Sequence, residues 1–197
     1  MMRILAGLFI SSALTHTSAS GQNALGAALL VVPAALGWGA QCEQKVTVRI
    51  QDSSVVPNPV WSQARNMAIE MFSTANVRID WRTDAKKPGE GAIVVRMVAA
   101  PVDSLPGALA STQVYDGVHI TVFWDRIEHP ARPASKGVIL APVLVHEITH
   151  ILQRIDRHSE SGIMKAAWVN QDYRDMAWKP LSFTPRDIVL ICLGRRE

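Results

Sequence analysis

The sequence predicts an α+β domain built on a mixed, twisted sheet. Three observations support this prediction: short segments in which apolar and polar residues alternate, longer segments with apolar residues at helical spacing, and one strongly apolar helix that contains three polar side chains. Strand side chains alternate with period two and helical side chains repeat every 3.6 residues, so the two patterns can be separated in one chain. We therefore expect a sheet packed against a small number of helices.

The composition predicts a single folded domain over residues 41–197. The chain has 197 residues, 48% of them hydrophobic, which is enough to bury one core. Its formal net charge is +3, and the basic residues are scattered instead of forming a stripe with aromatic residues between them. A nucleic-acid partner is therefore not expected.

Residues 1–40 differ from the rest and predict a signal peptide or hydrophobic leader. Arg3 precedes an apolar run at residues 4–10, and small residues at 18–21 resemble a cleavage zone. A second apolar run, residues 24–40, is close to the minimum length of a bilayer span. We expect a secreted or periplasmic protein, and membrane attachment through the second run is the alternative to its removal.

The first predicted strand is residues 45–51, in which Val46, Val48 and Ile50 share one face. Turn residues follow, and residues 60–75 then show the repeat of a helix that faces the core. The apolar residues at that spacing are Ala64, Met67, Ala68, Met71 and Phe72. A strand and a core-facing helix thus open the domain.

Four further strands are predicted before residue 125. Residues 77–81 and 92–98 each have the pattern of a strand. Residues 111–115 and 118–124 flank an Asp-Gly pair, which is typical of a tight hairpin turn. We expect one of the two hairpin strands to lie at an exposed edge of the sheet.

The most informative segment is an apolar helix at residues 143–152, for which Pro142 is the expected first residue. Because this helix is apolar on nearly all sides, His146, Glu147 and His150 would be buried polar groups in need of compensation. His146 and His150 are one helical turn apart on the same face, so both rings can reach one metal ion. The HExxH pattern predicts a zinc site, with Glu147 beside the ligands as the general base.

A third zinc ligand has to come from beyond the helix, and the fourth position has to stay open for water or a substrate carbonyl. Asp156, His158 and Glu160 are the candidates. We prefer His158, because neutral imidazole is the commoner zinc ligand. The predicted metal ligands are therefore His146, His150 and His158.

The run HEITHILQRIDRHSESGIMKAAW, residues 146–168, resembles a family of small, largely uncharacterised bacterial secreted proteins that read HExGHLLLGxxxHSxxGIMxAxW. The matching residues are His146, Glu147, His150, His158, Ser159, Gly162, Ile163, Met164, Ala166 and Trp168. The resemblance implies a zincin fold with a metzincin-like methionine turn, in which Met164 lies beneath the metal.

Four positions depart from the motif of that family or from the metzincin motif. Thr149 and Arg154 stand where that family has glycines within its helix and after it. In the metzincin pattern HExxHxxGxxH, the glycine falls on Gln153 and the last histidine on Asp156. With the glycine that ends the helix missing, we expect Asp156 to make the left-handed turn, since aspartate tolerates that backbone conformation.

Together these features predict a zinc-dependent metallopeptidase. Zn²⁺ would polarise the scissile carbonyl and its own water, and Glu147 would take the water proton and deliver it to the leaving amine. The substrate would be a peptide or protein, bound as an added strand beside residues 118–124 or their hairpin partner, as the zincin resemblance implies. A secreted zinc-binding or partner-binding module that hydrolyses nothing is the alternative prediction.

The C-terminal region supplies a final helix and one further candidate. Thr184 and Pro185 are typical of an N-cap and a first helical residue, for a helix that continues to about Leu193. Tyr173 follows the methionine turn, and the metzincin resemblance implies a role in holding the zinc or stabilising the oxyanion.

The two cysteines, Cys42 and Cys192, allow two interpretations. An oxidising exterior would permit them to pair. Alternatively, Cys192 is a small apolar residue in the core. The sequence leaves both open.

Overall fold

A computed structural model of the chain describes residues 42–51, 53–83, 91–99, 106–113, 118–128 and 134–194. The predicted leader and the predicted hairpin turn lie outside the described residues. None of the described helices has the length and hydropathy that a membrane-spanning segment needs.

The described residues form one five-stranded sheet with five α-helices. The strands are β1 (Gln44–Gln51), β2 (Val77–Arg82), β3 (Ile93–Val98), β4 (Ala110–Thr112) and β5 (His119–Phe123). The helices are α1 (Asn58–Ser73), α2 (Trp124–Ile127), α3 (Lys136–Gln153), α4 (Asn170–Met176) and α5 (Pro185–Gly194), and a short 3₁₀ turn spans Ser53–Val55. All the strands and long helices predicted from periodicity are present, with bounds shifted by a few residues.

The sheet is mixed, as predicted, and has the strand order β2-β1-β3-β5-β4. Strands β2, β1, β3 and β5 are parallel, and β4 pairs with β5 in the antiparallel sense. The predicted hairpin is therefore formed by β4 and β5. Its first strand, β4, lies at the edge of the sheet, with one side unpaired by the described strands.

The core lies between the sheet and the long helices α1 and α3. Alternate residues of the strands point into it, as Val48 and Ile50 do in β1. Helix α3 contributes a fully buried series: Ile139, Leu140, Ala141, Leu144, Val145 and Ile148. Because α3 is apolar on almost every side, it is buried along most of its length and has a fixed position beneath the sheet.

The start of α3 differs from the prediction. The helix begins at Lys136, and Pro142 lies inside it instead of at its first position. A proline within a helix removes one backbone hydrogen bond and clashes with the preceding turn. Here Ile139, Leu140 and Ala141, which precede the proline, are completely buried, so their packing outweighs that local cost.

The end of α3 corrects a second expectation. Arg154, and not Asp156, adopts the left-handed conformation, with φ at 54°, and its N–H group donates to the Ile151 carbonyl. The turn therefore comes immediately after the last helical residue, Gln153. An arginine takes the conformation that a glycine usually has at this position.

The last helix closes the domain against its first strand. Cys42, two residues before β1, and Cys192 in α5 form a disulfide bond, with their Cα atoms 5.5 Å apart. Gln44 Nε2 also donates to the Ile191 carbonyl of α5 over 2.7 Å. Helix α5 begins with the predicted Pro185 after Thr184, so the ends of the described chain are joined.

Candidate metal centre

Three histidine side chains converge in one cluster. His146 and His150 come from successive turns of α3, and His158 comes from the loop that follows it. Their ring centroids are separated by 4.7 Å, 5.2 Å and 5.0 Å for the pairs 146–150, 146–158 and 150–158. One nitrogen from each ring lies within 4.8 Å of the other two. The structure thus brings together the three residues predicted as ligands.

The two helical histidines are oriented by backbone carbonyls. His146 Nδ1 lies 2.8 Å from the Ile163 oxygen, and His150 Nδ1 lies 3.2 Å from the Ile155 oxygen. A carbonyl oxygen only accepts, so each Nδ1 carries the proton and each Nε2 has a bare lone pair. These two Nε2 atoms face each other at 3.0 Å.

This arrangement is suited to a cation. Two nitrogen atoms that are 3.0 Å apart and direct lone pairs at each other repel unless a positive ion lies between them. Tetrahedral Zn²⁺ with Zn–N bonds of about 2.0–2.1 Å holds nitrogen ligands roughly 3.3 Å apart. The donor set of three imidazoles, with two rings fixed through Nδ1, therefore fits zinc.

Burial keeps the helical histidines neutral. It lowers the pKa of His146 to about 4, against the opposing effect of the hydrogen bond to Ile163. It also lowers the pKa of His150, and the neighbouring His146 ring acts in the same direction. Neutral imidazole is the form that binds metal, so both rings are available as ligands at neutral pH.

Glu147 lies beside the histidines with its carboxylate against the edge strand. Thr112 of β4 donates its hydroxyl hydrogen to Glu147 Oε2 over 2.5 Å. Burial raises the pKa of Glu147, and the Thr112 hydrogen bond partly opposes that effect. A raised carboxyl pKa is suited to a group that accepts and then releases a proton near neutral pH.

The segment in which a methionine turn was predicted forms a tight turn, and Met164 in it is fully buried. Lys165 N donates to the Gly162 carbonyl, and Ser159 N donates to the Met164 carbonyl over 2.6 Å. Gly162 has φ at +74°, and any Cβ there would collide with the Ser182 carbonyl. The next residue, Ile163, supplies the carbonyl that orients His146, so the turn sets the geometry of one histidine.

A cavity of about 780 Å³ opens above these groups. Its lining includes the edge strand β4 and the segment from Lys165 to Trp168. The Trp168 ring lies 5.8 Å from the His146 ring and 6.4 Å from the Tyr173 ring. The three histidines and Glu147 are part of the lining.

The other predicted candidates have different positions. Asp156 lines the cavity but is exposed and is not part of the histidine cluster, and Glu160 is exposed and lies outside both. Tyr173 lines the cavity. Thr112 was not among the predicted site residues, because its contact with Glu147 spans 35 residues. Asp187 was not predicted either, although Thr184-Pro185-Arg186-Asp187 has the spacing of a capping box.

The sheet, the helix that carries the paired histidines and the third histidine after it together make the fold zincin-like. The structure is similar to the crystal structure of archaemetzincin from Methanopyrus kandleri, with a TM-score of 0.54 and 14% sequence identity. The similarity covers 80% of this chain and 98% of that one. At this identity it is a likeness of fold.

Comparisons by sequence give no match. No family model matches the chain, and no curated protein matches it. The fold and the histidine cluster are therefore the basis for assigning a function.

Proposed function

We propose that this protein is an exported zinc-dependent metallopeptidase. His146, His150 and His158 would hold the zinc, and Glu147 would act as general base. The observation that carries the proposal is the placement of Glu147 next to three converging imidazoles in one cavity. Three protein ligands with one position left for water or substrate are typical of catalytic zinc.

When bound, Zn²⁺ supplies polarisation of a carbonyl and acidification of water to a pKa of about 7. Glu147 accepts the proton of the attacking water and returns it to the leaving amine. Thr112 holds the Glu147 carboxylate through a hydrogen bond to Oε2. The other carboxylate oxygen, Oε1, can then face the cavity, where it accepts and releases the proton.

The proposed substrate is an extended peptide that lies beside β4. This strand lines the cavity and is at the edge of the sheet. Its backbone groups on the unpaired side can form a ladder with a substrate strand. Of the two hairpin strands considered from sequence, β4 is therefore the favoured one, because β5 is paired on both sides.

Export is proposed from the leader pattern and is supported by the disulfide bond. Disulfides persist in oxidising compartments such as the periplasm or the exterior, and Cys42 and Cys192 are joined. Removal of residues 24–40 or their retention as a membrane anchor are the two forms of the proposal.

The second candidate is a module that binds zinc but hydrolyses no substrate. It is considered because Thr149 and Arg154 stand where the pattern that residues 146–168 resemble has glycines. Thr149 is fully buried, and its hydroxyl donates to the Val145 carbonyl within α3. Arg154 is exposed after the end of the helix. Neither residue lines the cavity, so both departures are compatible with an active site.

Peptide cleavage tests the proposal. Wild type, Glu147→Gln and His119→Ala, all loaded with zinc, would be incubated with casein or a peptide library. His119 is exposed on β5 and is not in the histidine cluster, so its variant is a matched control. Cleavage that disappears only in Glu147→Gln, with zinc retained, supports the enzyme. Zinc binding without cleavage by wild type supports the module.

A further inference from the structure

Asp187 is a buried carboxylate on the first turn of α5 with no exposed surface. Burial alone would raise its pKa, but hydrogen bonds from Thr184, Ser159 and Arg157 outweigh that effect and hold the pKa below its usual value. The group is therefore ionised at neutral pH. A buried charge of this kind is retained only where several donors satisfy it.

The two carboxylate oxygens of Asp187 accept hydrogen bonds from different segments of the chain. Oδ2 accepts from the Thr184 backbone N–H at 2.9 Å and from its hydroxyl at 2.7 Å, which caps α5. Oδ1 accepts from Arg157 Nη1 at 2.9 Å and from Ser159 Oγ at 2.7 Å. Arg157 and Ser159 are the residues immediately before and after His158.

The main chain of Asp187 is tied to the helix that carries the other two histidines. Gln153, the last residue of α3, donates its side-chain N–H to the Asp187 carbonyl over 3.1 Å. Gln153 is buried and stands where the metzincin pattern has a glycine. Through Asp187, α3 and the loop after it are therefore joined to the same turn of α5.

His158 depends on such a connection more than His146 and His150 do. The latter two lie on a buried helix, and their rings are held by backbone carbonyls. His158 is exposed and lies in a loop. Without restraint on both sides, the loop would lose conformational entropy each time its imidazole bound a metal ion.

We infer that Asp187 is a positioning residue that fixes His158 for metal binding by holding both of its neighbours. The inference rests on the proposed metal site. Groups outside the ligand set that orient ligands typically change metal affinity by about 10–100-fold when they are removed. Loss of Asp187 should weaken zinc binding by an amount in that range.

Zinc affinity is measured by titrating metal-free protein with Zn²⁺ against a chromophoric chelator. Asp187→Asn keeps the size of the side chain but removes the charge that Arg157 and Ser159 bind. Ser159→Ala removes one link on the loop side only and leaves the α5 cap in place, so it serves if Asp187→Asn fails to fold. We expect a loss of about 10–100-fold for the first variant. For the second variant, which removes one hydrogen bond, we expect a smaller loss of roughly 3–10-fold.

Thr184→Val is the matched control. It removes the hydroxyl that caps α5 but leaves the hydrogen bonds that Arg157 and Ser159 donate to Asp187. If Asp187 only stabilised the start of α5, Asp187→Asn and Thr184→Val would bind zinc with similar affinity. We expect Thr184→Val to have a lowered melting temperature with zinc affinity within twofold of wild type.

The spectrum of bound Co²⁺ gives a second readout. Wild type and Thr184→Val should give the same d–d bands, whereas Asp187→Asn should give altered bands because His158 is displaced. The inference is overturned if Asp187→Asn and Ser159→Ala bind zinc as tightly as wild type, or if Thr184→Val weakens binding as much as Asp187→Asn. Failure of wild type to bind zinc would instead contradict the proposed function.

Discussion

At the scale of single residues, backbone carbonyls determine the chemistry of the histidine cluster. The carbonyls of Ile163 and Ile155 place the protons of His146 and His150 on Nδ1 and leave both Nε2 atoms bare. Burial then keeps these rings neutral. The ability of these two rings to bind a metal therefore depends on the carbonyls of Ile155 and Ile163 and on burial, in addition to the HExxH spacing.

Thr112 is expected to act on catalysis and not on metal binding. Thr112→Val removes the hydrogen bond to Glu147 with little change in size, and a bond to a charged group contributes about 1.5–3 kcal/mol. We predict that kcat/KM for a peptide falls by about 10–100-fold. Steady-state kinetics and a zinc titration check the prediction.

A threonine on the neighbouring strand provides the control for Thr112. Thr121→Val makes the same substitution on β5, at a residue that does not line the cavity, and should leave both quantities near their wild-type values. Unchanged kcat/KM in Thr112→Val, or an equal loss of zinc affinity, would contradict the assigned role.

At the scale of elements, periodicity predicted what depends on local pattern. Strand β1 and helix α1 were recovered because each alternates or repeats over at least seven residues. The predictions for the two ends of α3 were wrong because these ends depend on packing. Pro142 lies inside the buried helix, and Arg154 has the left-handed backbone conformation. The contacts of Thr112 with Glu147 and of Asp187 with Ser159 join residues far apart in sequence, so no local pattern could reveal them.

Arg154 offers a test at the end of α3. The left-handed conformation destabilises a non-glycine residue by about 1–2 kcal/mol. Glycine removes this strain, but it loses more backbone entropy on folding, so the net gain in stability is smaller. We predict that Arg154→Gly raises the free energy of unfolding by about 0.5–1 kcal/mol, measured by urea denaturation. Arg154→Ala removes the same side chain but keeps the strain, so it should give no gain. Equal effects of the two variants would refute this explanation.

At the scale of the whole molecule, the sheet and the terminal helix bring the parts of the site together. Edge strand β4 supplies Thr112, α3 supplies two histidines and Glu147, and α5 holds the loop of the third histidine. The general fold class and the mixed sheet followed from the sequence. The mostly parallel pairing of the strands did not follow from the sequence, because the direction in which strands pair depends on contacts between distant residues.

The disulfide bond should contribute strongly to global stability. It joins residues separated by 150 positions, and removal of a native disulfide typically costs about 2–5 kcal/mol. We predict that Cys42→Ser with Cys192→Ser lowers the free energy of unfolding by about that amount. Urea denaturation measures it. A reductant should destabilise wild type and leave the double variant unchanged; equal stability of oxidised wild type and the variant would contradict the prediction.

Zinc stoichiometry tests the central claim most directly. Metal-free wild type, His146→Ala, His158→Ala and the control His119→Ala would be titrated with Zn²⁺. The three-histidine site predicts about one tightly bound equivalent in wild type and His119→Ala, and its loss in the other two variants. Full zinc retention in His158→Ala would contradict the site as proposed and would make Asp156, which also lines the cavity, the candidate for the third ligand.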